Sequence, residues 1–378
     1  MSKPTVAILA GYVSSNMLGR AQVLWELLRE DFDAFLVGPE YGLGVWEPLA
    51  SANLPLRIIE ATHLSNPAKL LRLISEAAKA DLVIASKPFA TSFGAGLLAR
   101  QRFGSPLILD MDDADLPRLP HSVFEWAKSV RDIRRHHWWW SMAALQPLIR
   151  TADARTAATR VLEHFYKADE YIPHARDAAL FRPAEWSPEE AKAALGLTGK
   201  RVVMFLGTPR EHKGLAELAQ AVGALPDEDV RLVYIGTTKD AAFLTRVEDL
   251  TRGRGIALAP FPFAQLPSRL AAADIVAIPQ QPGAFAAAQL PAKTLDAMAM
   301  ARPVLATQVG DLPEVLEGCG LLAKTPTAEG LTAGLATLLA DEKLRSQLGQ
   351  AGREKFLSCY SLEAVRPRLV ALARGLLG

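Results

Sequence analysis

Short apolar runs alternate with amphipathic helical stretches along the whole of this chain. In the first half, the runs that read as strands are 6–10, 34–37, 56–59, 81–85 and 106–109. The first run is followed by a loop at 12–19 and then by a helix that carries Val23, Leu24, Leu27 and Leu28 on one face, and further helical patterns lie at 67–79 and 91–103. In the second half, they are 202–206, 230–235, 256–258, 275–278, 304–306 and 321–322. Because strands that alternate with helices favour parallel sheets covered on both faces, the pattern predicts an α/β protein. We expect two Rossmann-like, doubly wound domains that face each other across a cleft.

Length and composition narrow the class of protein. A chain of 378 residues is long enough for two domains, and half of its residues are apolar, so substantial cores can be buried. A net charge of +1 argues against nucleic-acid binding. Cys319 and Cys359 are too few for a disulfide framework and lack a metal-like spacing, which favours a reduced, cytoplasmic setting. No apolar segment approaches the roughly 20 residues that a membrane-spanning helix needs.

The strand-like run 202–206 leads into a glycine turn that carries two cations and then into a helical pattern. The turn reads GTPREHKG and covers residues 207–214. A helix N-terminus is already electropositive, so a lysine in its first turn, as we expect for Lys213, is unfavourable unless an anion lies in front of it. We therefore predict a phosphate site in which Arg210 and Lys213 stabilise negative charge, next to the backbone of Gly207 and Thr208.

A second lysine at a predicted helix start lies about eighty residues later. The stretch QLPAKTLDAM covers residues 289–298 and places Lys293 just after Pro291, a residue suited to the first position of a helix. Two such helix ends can hold one diphosphate between them. Asp296 lies three residues after Lys293 on the same predicted helix face, and an ordinary surface ion pair between the two remains an alternative reading.

Together these segments resemble glycosyltransferase family four, a family of retaining, sugar-nucleotide-dependent enzymes with the GT-B architecture. The likeness is carried by FLGTPREHKG at 205–214, ADIVAIPQ at 273–280, PAK at 291–293 and RPVLAT at 302–307. It extends to IPHARD at 172–177, to SKP at 86–88 and LDMDD at 109–113, and to the tail from Tyr360 onward. The resemblance covers most of the chain and is most specific between residues 202 and 318.

The resemblance implies a domain organisation and an activity. An N-terminal, acceptor-binding domain would cover 1–178 and include a returning C-terminal helix at 361–378, while a nucleotide-sugar-binding domain would cover 179–360. The implied activity is that of a hexosyltransferase that moves a sugar from a nucleoside-diphosphate sugar to an acceptor hydroxyl with retention. The donor would be a co-substrate, and neither a metal nor another cofactor is expected.

The resemblance also implies roles for individual residues. The carboxylate of Asp296 would hydrogen-bond the ribose hydroxyls, and Gly236 would lie near the base. The sugar and diphosphate pocket would be lined by Gln289, Leu290 and Pro291. On the acceptor side, the expected residues are Gly19, Asp112, Asp113 and His174.

One departure from the family pattern bears on activity. The family's usual pair of glutamates, eight residues apart, would fall at Ala288 and Asp296, so only the second carboxylate is present and it is the shorter acid. This departure keeps open a non-catalytic GT-B protein that binds a nucleotide or a glycan. A nucleotide-sugar epimerase of the same architecture also stays open.

Two acceptor-side assignments have alternatives. The acidic run that contains Asp112 and Asp113 could bind a metal ion, although its place at the end of a strand in the first domain favours contacts with acceptor hydroxyls. His174 could equally be a hinge residue rather than a site residue.

The segment 118–150 differs from the rest of the first half in its composition. It carries six basic and two acidic residues together with the tryptophan triplet 138–140. Basic residues beside tryptophan suit a membrane interface or a lipid-linked acceptor, whereas a tryptophan cluster also suits a core or an apolar acceptor pocket. The acceptor therefore stays open among a glycan, a lipid-linked sugar and a small molecule. The expected location is the cytoplasm, with the inner membrane face as an option.

Overall fold

The computed structural model describes residues 2–60, 67–113, 142–236, 238 and 240–378. The chain divides into two compact units, of which unit 1 contains 1–173 and 365–378 and unit 2 contains 174–364. The Trp-rich part of segment 118–150, up to residue 141, lies outside the described residues. Thr237, which follows the predicted base-binding Gly236, also lies outside them.

Unit 1 is built on a sheet of seven parallel strands in the order β3-β2-β1-β4-β5-β6-β7. The strands are β1 Thr5–Leu9, β2 Asp33–Glu40, β3 Leu56–Glu60, β4 Leu82–Ser86, β5 Leu107–Met111, β6 Ala154–Ala157 and β7 Glu170–Tyr171. Among the described residues, the α-helices within unit 1 are Met17–Leu28, Pro67–Ala77, Ala95–Phe103 and Arg160–Tyr166, and a π-helical turn, Ala90–Gly94, precedes the third of them. Strands β1, β4 and β5 are almost completely buried, as expected for central strands with helices on both faces.

Unit 2 repeats this plan with six parallel strands in the order β10-β9-β8-β11-β12-β13. The strands are β8 Arg201–Leu206, β9 Val230–Ile235, β10 Gly255–Leu258, β11 Ile275–Ile278, β12 Val304–Ala306 and β13 Leu321–Leu322. The helices are Pro188–Ala194, Leu215–Ala224, Ala241–Thr251, Leu266–Ala271, Ala284–Ala287, Ala292–Ala299, Leu312–Val315, Ala328–Ala340 and Glu342–Cys359. Two apolar cores, one on each face, enclose the central strands.

The strand order changes direction between β8 and β11, which are neighbours in the sheet although far apart in sequence. In doubly wound sheets, ligands bind beyond the carboxyl ends of strands at such a switch point. The loop after β8 begins at Gly207 and the loop after β11 begins at Pro279, so both lie at this edge of unit 2.

The last helix, Leu362–Leu377, begins in unit 2, and its residues from Val365 onward belong to unit 1. Within unit 1, Arg374 pairs with Asp31 at 2.7 Å, and Arg368 donates a hydrogen bond to the Tyr171 carbonyl at 3.1 Å. The proline-rich stretch 183–188 lies inside unit 2, where it forms a turn and the start of a helix rather than a connection between the units.

The α/β fold with two doubly wound sheets is confirmed, and all pairs of neighbouring strands are parallel among the described residues. Every strand predicted from an apolar run is present to within two residues at its start. Strands β6 and β7 are absent from the prediction because they are short and carry polar residues such as Arg155 and Glu170. Among the described residues, no helix is both long and apolar enough to cross a bilayer.

Candidate functional site

Two glycines bring the ends of β8 and β9 together in unit 2. Gly207 has φ +114° and Gly236 has φ +143°, values that side-chain-bearing residues rarely adopt. The Gly207 amide donates a hydrogen bond to the Ile235 carbonyl at 2.8 Å. A Cβ on Gly236 would lie 3.0 Å from the Thr208 amide nitrogen, so only glycine allows this approach. Gly207, Thr208 and Gly236 therefore form one backbone surface, at the position where the sequence predicts a nucleotide site.

Lys213 lies in a separate 3-10 turn, Glu211–Lys213, that precedes the helix Leu215–Ala224. The prediction that it occupies the first helical turn is wrong, because Gly214 adopts a left-handed conformation, φ +72°, and breaks the helix from the turn. A Cβ on Gly214 would overlap the carbonyl oxygen of Pro279, and the Gln281 amide donates to the His212 carbonyl at 3.0 Å. The loop after β11 therefore braces the turn that carries Lys213.

Lys293 is the second residue of the helix Ala292–Ala299, for which Pro291 is the N-cap. Its ammonium donates a hydrogen bond to the Leu206 carbonyl at the end of β8 and lies 5.0 Å from the centroid of the Phe205 ring. The helix therefore directs this lysine back onto the strand end that carries the first phosphate-like turn.

The two lysines meet beside Gly207. A Cβ on Gly207 would lie 2.7 Å from Lys293 Nζ and 3.7 Å from Lys213 Nζ. The absence of a side chain at Gly207 thus leaves room for both ammonium groups, which come from turns about eighty residues apart. The predicted convergence of Lys213 and Lys293 is present in the structure.

The surroundings of Lys293 destabilise the charged form of its side chain. Burial and the like charge of Lys213 lower the pKa of Lys293 from 10.5 to about 7. The carboxylate of Asp296 acts in the opposite direction and offsets part of this shift. The residue as a whole keeps intermediate exposure, but its ammonium is enclosed by protein. Two close ammonium groups of this kind attract an anion, because a bound anion offsets both the burial and the mutual repulsion.

Asp296 has an ion-pair partner that the sequence does not predict. Its Oδ1 accepts a hydrogen bond from Arg176 Nε at 2.6 Å, and both side chains are largely buried. Arg176 belongs to the segment IPHARD, which was noted for its family likeness, while no role was predicted for the arginine itself. The predicted role of Asp296 in binding ribose hydroxyls stays a prediction, and any such contact has to share the carboxylate with Arg176.

The remaining predicted donor-site residues differ in how they are placed. Arg210 is exposed, and the charges that act on Lys293 are those of Lys213 and Asp296. The Gln289 amide donates to the Ala286 carbonyl at 3.2 Å, and Leu290 is 4% exposed and packs in the core. Leu290 thus supports the loop from within instead of lining a pocket with its side chain.

In unit 1, the predicted acceptor residues Asp112 and Asp113 follow β5 and face a buried lysine. The Lys87 ammonium contacts Asp113 and lies 3.5 Å from Asp112 Oδ2. Lys87 is 3% exposed and has φ +70°, a backbone conformation that costs about 1 to 3 kcal/mol for such a residue. Strain of this kind is common at functional sites, and the motif SKP by itself predicts no role for Lys87.

A second basic residue, Arg20, pairs with Asp110, the first aspartate of the same acidic run. Arg20 forms a fully buried, two-point ion pair with Asp110, with distances of 2.8 Å and 2.7 Å, and also donates to the carbonyl of Ile172 at 2.7 Å. The Asp110 charge and hydrogen bond raise the pKa of Arg20 although burial opposes them. Because Arg20 and Lys87 face the acidic run, a hydroxyl-binding role suits it better than a metal site. Among the described residues, no group of three or more His, Cys, Asp or Glu side chains could hold a metal ion.

The last two predicted acceptor-side residues are Gly19 and His174. Gly19 lies inside the helix Met17–Leu28 instead of in the preceding loop, since backbone hydrogen bonds from Leu18 and Gly19 already form its first turn. A Cβ on Gly19 would lie 3.2 Å from the Trp46 ring, so this glycine allows an aromatic ring to pack on the helix. His174 is the first residue of unit 2.

Replacement of Gly207 by alanine is expected to weaken anion binding more than it weakens folding. The new methyl group would displace the flexible end of Lys293, and the left-handed backbone would cost about 1 to 2 kcal/mol. We expect the Kd for a nucleoside diphosphate, measured by calorimetry, to rise by about tenfold or more. The matched control is Gly253→Ala, which has φ +75° but no atom within 4 Å of the new methyl group. Equal effects of both variants on Kd would show that Gly207 has no special place at the site.

Comparisons with known proteins agree with this geometry. Residues 200–341, which contain the lysine pair, match the family described as glycosyl transferases group 1. The D-inositol 3-phosphate glycosyltransferase of Segniliparus rotundus is 31% identical over 252 residues, which cover 61% of this chain and 54% of that protein. The MMP alpha-(1->4)-mannosyltransferase of Mycolicibacterium hassiacum is 26% identical over 303 residues, which cover 74% of this chain and 67% of that protein. The chain thus spans about half the length of the first relative.

Solved structures extend the likeness over both units. Anabaena Alr3699/HepE in complex with UDP and glucose matches with a TM-score of 0.74 and 15% identity, over 98% of this chain and 100% of that chain. Sucrose-phosphate synthase from Thermosynechococcus elongatus matches with a TM-score of 0.72 and 19% identity, over 99% of both chains. At these identities the likeness establishes the fold. The chain therefore has the two-domain α/β fold of these GT-B structures, and its residues 200–341 resemble the glycosyl transferases group 1 family.

Proposed function

We propose that this protein is a retaining, metal-independent glycosyltransferase that moves a sugar from a nucleoside-diphosphate sugar to an acceptor hydroxyl. The observation that carries the proposal is the pair of ammonium groups, Lys213 and Lys293, beside Gly207. Cleavage of the bond between the sugar and the diphosphate builds negative charge on the leaving phosphate, and cations already in place stabilise that charge without reorganisation.

The donor would bind at the carboxyl edge of the unit 2 sheet. Its diphosphate would lie against Lys213 and Lys293, and its nucleoside would lie near Gly236. The likeness to Anabaena Alr3699/HepE, which was solved in complex with UDP and with UDP-glucose, supports a uracil nucleotide as the first donor to test, and UDP-glucose as the first sugar nucleotide. The two lysines would supply the positive charge that a metal ion supplies in other transferases.

The acceptor hydroxyl would be held in unit 1 by Asp112 and Asp113, with Lys87 fixing the position of the two carboxylates. In a retaining mechanism without a protein nucleophile, the leaving phosphate accepts the proton of the attacking hydroxyl on the same face of the sugar. Asp112 and Asp113 would then orient the acceptor rather than form a covalent intermediate.

Thermal unfolding in the presence of nucleoside diphosphates and their sugars tests the donor assignment first. A ligand at 100 times its Kd stabilises the native state by about 2.7 kcal/mol, so the true donor should raise Tm clearly. Release of nucleoside diphosphate is then followed with a panel of acceptors, with and without EDTA. We expect acceptor-dependent release that EDTA does not reduce.

The panel also separates the alternatives. Ala288 occupies the position of a family glutamate and is 4% exposed, so the site lacks one carboxylate that could contact the donor sugar. Binding of a donor without any release of nucleoside diphosphate would identify a non-catalytic binding protein. Conversion of the donor sugar without an acceptor would identify an epimerase. Absence of any shift in Tm with the whole panel would reject the donor site itself.

A further inference from the structure

Arg176 joins two parts of unit 2, the backbone at 360–362 and the helix that carries Lys293. Its amide donates to the Tyr360 carbonyl at 3.1 Å, and the Leu362 amide donates to the Arg176 carbonyl at 3.0 Å, so the backbone of Arg176 is fixed on both sides. Its side chain reaches Asp296 at 2.6 Å, and its guanidinium carbon lies 5.3 Å from the centroid of the Phe263 ring. A backbone, an aromatic ring and a carboxylate thus hold one arginine in place.

The carboxylate that Arg176 holds is also an electrostatic partner of Lys293. Asp296 lies three residues after Lys293 in the helix Ala292–Ala299, and residues at this spacing are neighbours on a helix surface. Asp296 favours the charged form of Lys293, whereas burial and Lys213 oppose it. Asp296 accepts a hydrogen bond from Arg176, whereas Lys293 donates one to the Leu206 carbonyl. The carboxylate is therefore engaged away from the lysine.

We propose that Arg176 is a positioning residue for the donor diphosphate, which keeps Lys293 available to the anion by holding the Asp296 carboxylate. The inference rests on the proposed function, since it assumes that Lys213 and Lys293 bind a diphosphate. Arg176 itself touches neither lysine in the structure. It acts through Asp296, whose carboxylate would otherwise form an ion pair with Lys293 and compete with the ligand.

The charges that face the Lys293 ammonium, among the described residues, are Lys213 from the 3-10 turn and Asp296 from its own helix. Strand β8 contributes the Leu206 carbonyl and the Phe205 ring, which carry no net charge. Removal of Arg176 therefore takes away the ion-pair partner of Asp296 and leaves the interaction of its carboxylate with Lys293. Lys293 would then keep its proton to higher pH, and its positive charge would be partly neutralised before a ligand arrives.

The test compares Arg176→Met with the double variant Arg176→Met/Asp296→Asn. UDP-glucose is the probe, because its diphosphate is esterified at both ends and keeps its charge throughout the neutral pH range. We expect Arg176→Met to raise the Kd by about tenfold or more and to move the loss of binding with rising pH to a higher pH. The double variant removes both charges, so no buried charge is left unpaired, and in the free protein it should return the titration midpoint of Lys293 close to that of the unaltered protein.

A charge control and a ligand-free readout complete the experiment. Arg182→Met removes one cation from an exposed i,i+3 ion pair with Glu185 in the same unit, and it should leave the Kd within about twofold. The titration of Lys293 is followed by NMR of labelled lysine side chains in the free protein, where Arg176→Met should raise the midpoint. An unchanged Lys293 midpoint in Arg176→Met, or a double variant whose Lys293 midpoint stays as high as that of the single variant, would overturn the positioning role. Failure of UDP-glucose and other sugar nucleotides to bind the unaltered protein would instead reject the proposed function, and the NMR midpoint would still test the role of Arg176.

Discussion

Lys213→Ala and Lys293→Met are each expected to lower kcat/KM for the sugar-nucleotide donor by about 100-fold or more. Both ammonium groups lie within 4 Å of one point beside Gly207, so loss of either removes half of the positive charge at that point. Initial-rate assays with saturating acceptor measure the effect, and Lys324→Ala, which removes an exposed cation from the same unit, is the charge control. Near-normal rates in both lysine variants would reject the phosphate assignment.

The sequence predicts a comparable loss for Arg210→Ala, because Arg210 and Lys213 share one turn. The structure leads us to expect a smaller loss, since Arg210 is exposed. A loss as large as that of Lys213→Ala would mean that the turn rearranges when the donor binds, which moves Arg210 onto the diphosphate.

Lys293→Met should at the same time stabilise the unliganded protein, and the sign of its pH dependence follows from the lowered pKa. The pKa of Lys293 is about 7 in the folded protein and 10.5 ordinarily, so below pH 7 the native state carries the full cost of burying the charge. That cost disappears as the pH rises from 7 towards 10.5, where the native lysine is neutral while the unfolded one still binds a proton. We expect the methionine variant to be more stable by about 1 to 3 kcal/mol at pH 6 and to lose this advantage at alkaline pH, as measured by urea unfolding.

Gly214→Ala is expected to lower the free energy of unfolding by about 3 to 5 kcal/mol. The residue has φ +72°, and a Cβ would overlap the backbone carbonyl of Pro279, an atom that cannot move without disturbing β11. Backbone strain and a backbone clash therefore add at this position. Urea unfolding with far-UV circular dichroism measures the loss.

The control for Gly214→Ala is Gly318→Ala. Gly318 has nearly the same backbone angle, φ +74°, but no atom lies within 4 Å of a methyl group placed there. It should lose only about 1 kcal/mol, the cost of a left-handed alanine. Equal losses for the two variants would mean that the Pro279 loop yields to the methyl group and does not brace the Lys213 turn.

The strand pattern is predictable from the sequence because burial on both faces leaves near-continuous apolar runs. β8 and β11 follow this rule, whereas β6 and β7 pair at one edge of the unit 1 sheet and carry polar residues, so no apolar run marks them. The first helix also begins earlier than predicted, because a backbone turn at 15–18 forms before the first apolar residue of the helical face.

The candidate site is predictable only in part, because ion-pair partners that are far apart in the sequence leave no periodic signal. Lysines beside glycine turns are visible in a sequence, and the two turns do meet at the switch point of unit 2. The partners of Asp296 and of Asp113 are not visible, since Arg176 and Lys87 reach them from segments 120 and 26 residues away. Neither an arginine in a family-like segment nor a lysine before a proline signals its partner, because ion pairs over such separations have no periodicity.

NMR titration of Lys293, assigned by the loss of its signal in Lys293→Met, tests most directly whether the lysine pair holds a diphosphate. The ammonium should titrate near pH 7 in the free protein, and its midpoint should rise when UDP-glucose saturates the site, because a bound anion favours the charged form. A midpoint near 10.5 that the ligand leaves unchanged would contradict both the enclosed ammonium and its place at the diphosphate.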